Sequence, residues 1–220
     1  MTRPSFVLEQ AHWQQGRPHI AGLDEAGMGA LAGPVIAAAV IFPKFPSPQM
    51  RGGLGWGDNE DGVVIKDSKL LTPLQREKAA VWIKKHALAW SIGASSVAEI
   101  DRLNVRAASH LAFKRAIQKL AHQPDLLLID GNPLDLKINI KTLNIVKGDQ
   151  VSYSMAAASI LAKTFRDALM TKLSRQHPEY NFDVHKGYGT SQHLAALKKH
   201  GPCSRHRFSY APVRACQTSR

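Results

Sequence analysis

Two cysteines, Cys203 and Cys216, are all that the 220 residues contain. That is too few for a disulfide framework or a tetrahedral zinc set, so both are expected as reduced thiols. No apolar run approaches the roughly 20 residues that a bilayer demands. Residues 1–16 hold Glu9, His12 and several glutamines, where a secretory leader needs an apolar stretch, and a cytoplasmic location is the expectation. Internal repeats, a P-loop and a Ser-His-Asp order are missing. Gly27-Met28-Gly29 lacks the third glycine and the strand–helix context of a dinucleotide fingerprint. Acidic residues are also scarce: 17 Asp+Glu stand against 29 Lys+Arg, a formal charge of +12, and none follows Asp183.

A basic excess of this size favours a polyanionic partner, through attraction to phosphates and release of their counterions. The excess gathers in the region 184–220, where seven Lys and Arg residues, Lys186 first, accompany His185, His193, His200 and His206. Phe208, Tyr210 and Pro212 interleave with that charge, so the region reads as one wall of a nucleic-acid groove. Nothing in the sequence signals an oligomer, and a monomer is expected.

The chain reads as one α/β domain, residues 1–220, a mixed β-sheet flanked by helices. Strands are expected over His19–Gly27, Ala32–Phe42, Ala87–Val97, Leu126–Ile129 and Thr142–Val146. The stretch 43–62 is rich in Gly and Pro and reads as an excursion within the domain. Thr72-Pro73 opens a helix with Gln75 at the capping-box position, ending near His86. Further helices are expected over Glu99–Ala121, Val151–Leu173 and Ser191–His200, the last making a helical C-terminal extension.

Within this pattern a few carboxylates are out of place. Asp24 and Glu25 interrupt an apolar strand, where charge is rarely buried without compensation. Gly27 and Gly29 follow at once and allow a turn or the close approach of a ligand. Asp130 closes the apolar run Leu126–Ile129, and Asp149 stands between a strand and a helix. Each has a plainer local explanation: a turn after an edge strand, an Asp-Gly turn, a helix cap. Taken together, three strand ends would deliver carboxylates to one place, where they repel unless cations neutralise them. Hard oxygen ligands of this kind suit Mg²⁺ or Mn²⁺, and a two-metal site in a basic protein suits phosphodiester hydrolysis.

Six blocks then resemble the ribonuclease HII family. They are Ile20–Gly27 with Gly33-Pro34-Val35; Asp67-Ser68-Lys69; Ile129-Asp130-Gly131; Lys147-Gly148-Asp149 continuing to Lys163 and Arg166-Asp167; His185–Thr190; and His206-Arg207. The resemblance implies a ribonuclease H-like fold and two-metal catalysis, with Asp24, Glu25, Asp130 and Asp149 as ligands. It implies an endoribonuclease that cuts the RNA strand of RNA/DNA hybrids and cuts 5′ of single ribonucleotides in duplex DNA. Its products would carry 5′-phosphate and 3′-hydroxyl ends. The backbone of Gly27–Gly29 would sense the ribose 2′-OH, Tyr188 would press on the deoxynucleotide side of an RNA–DNA junction, and Lys69, Lys163 and Lys186 would contact phosphates. The related ribonuclease HIII branch would need an extra N-terminal domain, for which the residues before Ile20 leave no room. A replication clamp contact is not demonstrable from the residues.

One position departs from the resemblance. The family's turn reads Gly-Arg-Gly, whereas this chain has Met28, which cannot supply the arginine's charge to a substrate phosphate. The expectation is retained but weakened activity; the alternative is an impaired protein that binds hybrids without cutting them.

Overall fold

Alternation along Ile20–Ala26 (β1) sends Ile20 and Ala26 to one apolar cluster and Ala21 and Leu23 to the other, as the period of a strand requires. β1 is therefore covered on both faces. It pairs antiparallel with Val35–Ile41 (β2), which pairs antiparallel with Ala89–Ser95 (β3). On its other side it runs parallel to Leu126–Asp130 (β4), itself parallel to Lys141–Ile145 (β5). The mixed sheet thus has the order β3-β2-β1-β4-β5 in this computed structural model, which describes residues 3–44, 62–131 and 136–216. Apart from its ends, the Gly/Pro-rich stretch 43–62 lies outside the described residues.

Two layers of helix cover the sheet. Val7–Gln14 (α1) and Pro73–His86 (α2) share one apolar cluster with a long helix at 153–176, described below. Helix α2 has the expected capping box, with Thr72 Oγ1 accepting from the Gln75 N–H. The opposite face is covered by Val97–Leu103 (α3) and Val105–Gln118 (α4). These two replace the single helix expected over Glu99–Ala121. Asn104 adopts φ 71°, which breaks the helix, while its side chain accepts from the N–H groups of Arg106 and Ala107 to start α4. Apolar spacing hides the break because it continues in phase across it.

Tyr153–Gln176 (α5) lies against β1 at close range. Gly22 permits this: a Cβ there would sit 2.2 Å from the Ser154 carbonyl carbon. The start of α5 is capped by Ser152, whose hydroxyl accepts from the Met155 N–H. Buried Glu9 of α1 in turn accepts from Ser152 Oγ at 2.6 Å and from the Ser154 N–H at 3.0 Å. Its carboxylate is well placed at a helix N-terminus, yet burial still raises its pKa.

Phe182–His185 (α6), Ser191–His200 (α7) and Ala211–Ala215 (α8) form the C-terminal extension. Its histidines do not form a groove wall as expected. His185, His193 and His206 are buried among Tyr180 and Phe182, and of the four only His200 is exposed. Phe208 and Ser209 dock on Asp101 of α3 through their backbone N–H groups. Lys198, Lys199, Arg205 and Arg214 remain exposed. Among the described residues, no helix is long and apolar enough to cross a membrane.

Candidate metal centre and nucleic-acid cleft

The register that pairs Leu23 with Ile129 carries both chains onward, β1 to Asp24 and β4 to Asp130, with both carboxylates on the face of α5. The third member comes from the turn Gly148–Gln150, a short 3-10 segment after β5. Asp149 is therefore in a turn, not at a strand end, and the helix cap that offered its plainer explanation belongs to Ser152. The turn is fixed to β4 by the Gly148 N–H, which donates to Asp130 Oδ1 at 2.7 Å. One carboxylate oxygen from each of Asp24, Asp130 and Asp149 lies within 4.8 Å of the other two.

Glu25 stands outside this trio because it alternates to the other face, opposite Ala37 of β2. It nevertheless lines the same cavity of about 530 Å³ as Asp24 and Asp130. Gly27, Met28, Gly29, Lys69, Lys163 and Tyr188 complete most of the rim. Of the expected site residues, Asp149 is buried and joins Asp24 and Asp130 without lining the cavity, and only Lys186 is turned elsewhere. Its ammonium donates to Thr171 Oγ1 at 3.0 Å and to the Asp183 carbonyl at 2.6 Å, beside a neighbouring depression.

Crowding marks the carboxylates electrostatically. Burial, then the charges of Glu25 and Asp130, raise Asp24 well above the usual range. Glu25 is raised to about 7 by burial and Asp130, and Asp149 to about 6 by burial, Asp130 and Asp67. Lys69 is the nearby counter-charge. Burial lowers its pKa, but Asp67, Asp149, Asp24 and Asp130 together outweigh that and raise it. One ammonium against so many carboxylates leaves a site whose donor set fits hard divalent cations.

Several further residues shape this site, and in the sequence they stand out only as members of the family-like blocks. Asp67 caps the turn Ser68–Leu70 by accepting from the Lys69 N–H, and it bears on Asp149. Ser68 and Ser159 share a hydrogen bond of 2.9 Å at the cavity wall. Both serines lie in blocks already quoted, so the signal was present.

Two fully buried arginines lie in those blocks too, but their burial carried no signal, because arginine in a basic chain reads as surface. Arg166 donates to the carbonyls of Pro34, Ala32 and Lys186. Arg207 donates to those of Gly27, Met28 and Gly33, and to Tyr210 Oη. Between them they hold the turn after β1. Gly27 has φ 98°, and a Cβ there would lie 2.0 Å from Arg166 Nε; at Gly29 a Cβ would meet nothing within 4 Å. Gly27 is thus required by the protein, and Gly29 leaves room in the cavity.

A solved structure of ribonuclease H2 from Pyrococcus horikoshii OT3 has the same fold, with a TM-score of 0.72 over 91% of this chain and 97% of that one, at 23% identity. A ribonuclease HIII termed Bst, solved in complex with Mn²⁺, gives 0.70 over 98% and 73%, at 19% identity. The fold is that of the ribonucleases H. The family model described as Ribonuclease HII matches residues 21–213. A protein named Ribonuclease HII from Pelotomaculum thermopropionicum is 46% identical over 211 residues, covering 96% of this chain and 74% of that protein. The chain belongs to the ribonuclease HII family, and with it to the metal-dependent ribonucleases acting on RNA/DNA hybrids.

Proposed function

We propose that the chain cuts the RNA strand of RNA/DNA hybrids and cuts 5′ of single ribonucleotides embedded in duplex DNA, leaving 5′-phosphate and 3′-hydroxyl ends. The observation that carries this reading is the aspartate trio within 4.8 Å at the floor of a cleft rimmed by basic and aromatic side chains. In this reading Asp24, Glu25, Asp130 and Asp149 hold two divalent cations, Mg²⁺ or Mn²⁺. Bound there, such cations supply an activated water and stabilise the charge that develops in an in-line displacement at phosphorus. Lys69 balances part of the carboxylate charge before substrate arrives. The Gly27–Gly29 backbone, held from behind by Arg166 and Arg207, meets the ribose 2′-OH.

Tyr188, 36% exposed at the rim, stacks on the deoxynucleotide side of the junction. Lys163 reaches the rim beside it, its ammonium 5.9 Å from the ring centre. Lys186 braces the loop from behind rather than touching phosphate. The enzyme is proposed to work as a monomer, in a single catalytic domain, in the cytoplasm.

The alternative, a protein that binds hybrids without cutting them, is favoured only by Met28. Incubation with a duplex holding one ribonucleotide, in Mg²⁺ or Mn²⁺, separates the two. Cleavage on the 5′ side of that ribonucleotide is expected, whereas binding without cleavage sinks the proposal.

A further inference from the structure

The buried histidines of the C-terminal extension form a directed chain that ends on the backbone of Tyr188. His206 and His193 are both fully buried, and their Nε2 atoms lie 3.0 Å apart, so one must donate and the other accept. Neighbouring groups decide which. His206 Nδ1 lies 3.0 Å from the Cys203 N–H and 3.3 Å from the Cys203 carbonyl and Sγ. The N–H is the nearer partner, and the Tyr188 carbonyl at the far end of the chain can only accept, so Nδ1 is bare and the His206 proton sits on Nε2. His206 Nε2–H therefore donates to His193 Nε2, which leaves the His193 proton on Nδ1. Nδ1–H lies 2.9 Å from the Tyr188 carbonyl and donates to it.

Next to this chain, His185 stacks on His193 with ring centres 4.3 Å apart. Its own tautomer is fixed in the same way. The Gly187 N–H donates to its Nδ1 at 3.1 Å, and its Nε2–H donates to the Tyr180 carbonyl at 2.7 Å. All three rings are thus neutral, with every ring nitrogen partnered.

The loop they hold is also tied to the site from its other side. The Leu31 N–H donates to the Gly187 carbonyl at 2.8 Å, and Arg166 donates to the Lys186 carbonyl at 2.9 Å while its guanidinium lies over the Tyr188 ring. The backbone of Tyr188 is thereby set relative to the Gly27–Gly33 turn, although its side chain remains at the surface.

We infer that His193, held in its Nδ1–H tautomer by His206, is a positioning residue that fixes Tyr188 and thereby sets the preference for an RNA–DNA junction over continuous RNA. The inference rests on the proposed role of Tyr188. A residue that merely supported the fold would lower cleavage of every substrate alike. One acting through Tyr188 changes the ratio between substrates.

The test compares kcat/KM on two duplexes, one with a single ribonucleotide in DNA and one with a uniform RNA strand. His193→Ala is expected to lower the junction preference by about fivefold to tenfold, the loss of part of one stacking interaction. His193→Asn, whose amide can still donate to the Tyr188 carbonyl, is expected to restore most of that preference. In a Tyr188→Ala background, His193→Ala is expected to change the ratio no further.

Equal losses on both substrates, or a further fall in the double variant, overturn the inference. An unchanged ratio in Tyr188→Ala alone overturns the underlying reading of Tyr188, and the inference with it. Nitrogen-15 spectra of the folded wild-type protein give a check independent of activity. They should show His193 protonated at Nδ1 and His206 at Nε2; the reverse assignment breaks the chain.

Discussion

At the scale of single residues, the site is built from conflicts that a ligand resolves. Asp149 is buried beside Asp130 and Asp67 with its pKa raised to about 6. Asp149→Asn should therefore raise the melting temperature in metal-free buffer, because repulsion is relieved, while lowering cleavage by at least about a hundredfold. A fall in metal-free stability would show that the trio is not in conflict. The two glycines of the turn separate a folding role from a binding one. Gly27→Ala places a methyl on Arg166 at a positive φ and should cost at least about 2 kcal/mol of stability in urea unfolding. Gly29→Ala should fold normally yet raise KM, because its methyl enters the cleft. Met28 lies between them with its carbonyl held by Arg207 and Tyr210 and its side chain at the cavity. Met28→Arg supplies a charge without disturbing that anchor and should increase cleavage several-fold; no change, or a loss, counts against a phosphate contact here. Asp24 and Glu25 were legible in the sequence because charge inside an apolar strand is anomalous, and Asp130 and Asp149 became so only beside them. The arginine anchors lie in the quoted blocks, but their burial was not legible, since nothing in a sequence distinguishes a buried guanidinium from an exposed one.

At the scale of elements, what could be read depended on whether the signal was local. Thr72, Pro73 and Gln75 announce α2, and the structure realises that capping box. The N-terminal helix α1 went unread because its buried positions are Glu9 and Trp13, a pattern with no apolar stripe. The α3–α4 break was hidden for another reason. Ile100, Leu103 and Ala107 keep helical spacing across a residue whose backbone is not helical. Asn104 combines a positive φ with a side chain that caps two N–H groups. Asn104→Ala should then cost about 1–2 kcal/mol, losing the cap and straining the backbone together. Asn104→Gly should cost less, because glycine accepts that φ freely. Urea midpoints for the two variants measure the difference; equal losses would mean that the cap alone matters. Because Asp101 of α3 holds the backbone of Phe208 and Ser209, loosening this joint should also reach Arg207 and the turn it anchors.

At the scale of the whole molecule, two buried groups, the histidines and the carboxylates, titrate in opposite senses. His193 and His206 have their pKa values lowered to about 4, chiefly by burial. A histidine depressed in the folded state contributes stability that is complete above the unfolded value near 6.5 and is lost as pH falls toward 4, since the unfolded chain takes up protons that the folded rings refuse. The two rings share a hydrogen bond and act as one coupled pair in this respect. The raised carboxylates act in the opposite sense. Glu25 near 7 and Asp149 near 6 bind protons more readily when folded, so acidification from pH 7 stabilises the metal-free fold through them. In EDTA the two contributions oppose each other, and stability should change little between pH 7 and pH 5. Saturating Mg²⁺ holds the carboxylates ionised and favours the folded state by mass action, an advantage that itself weakens on acidification. With Mg²⁺ present, stability from urea unfolding should therefore be higher at pH 7 and should fall much more steeply toward pH 5. Parallel curves with and without Mg²⁺ would mean that the carboxylates do not bind the ion, and the histidine slope alone would have to account for both.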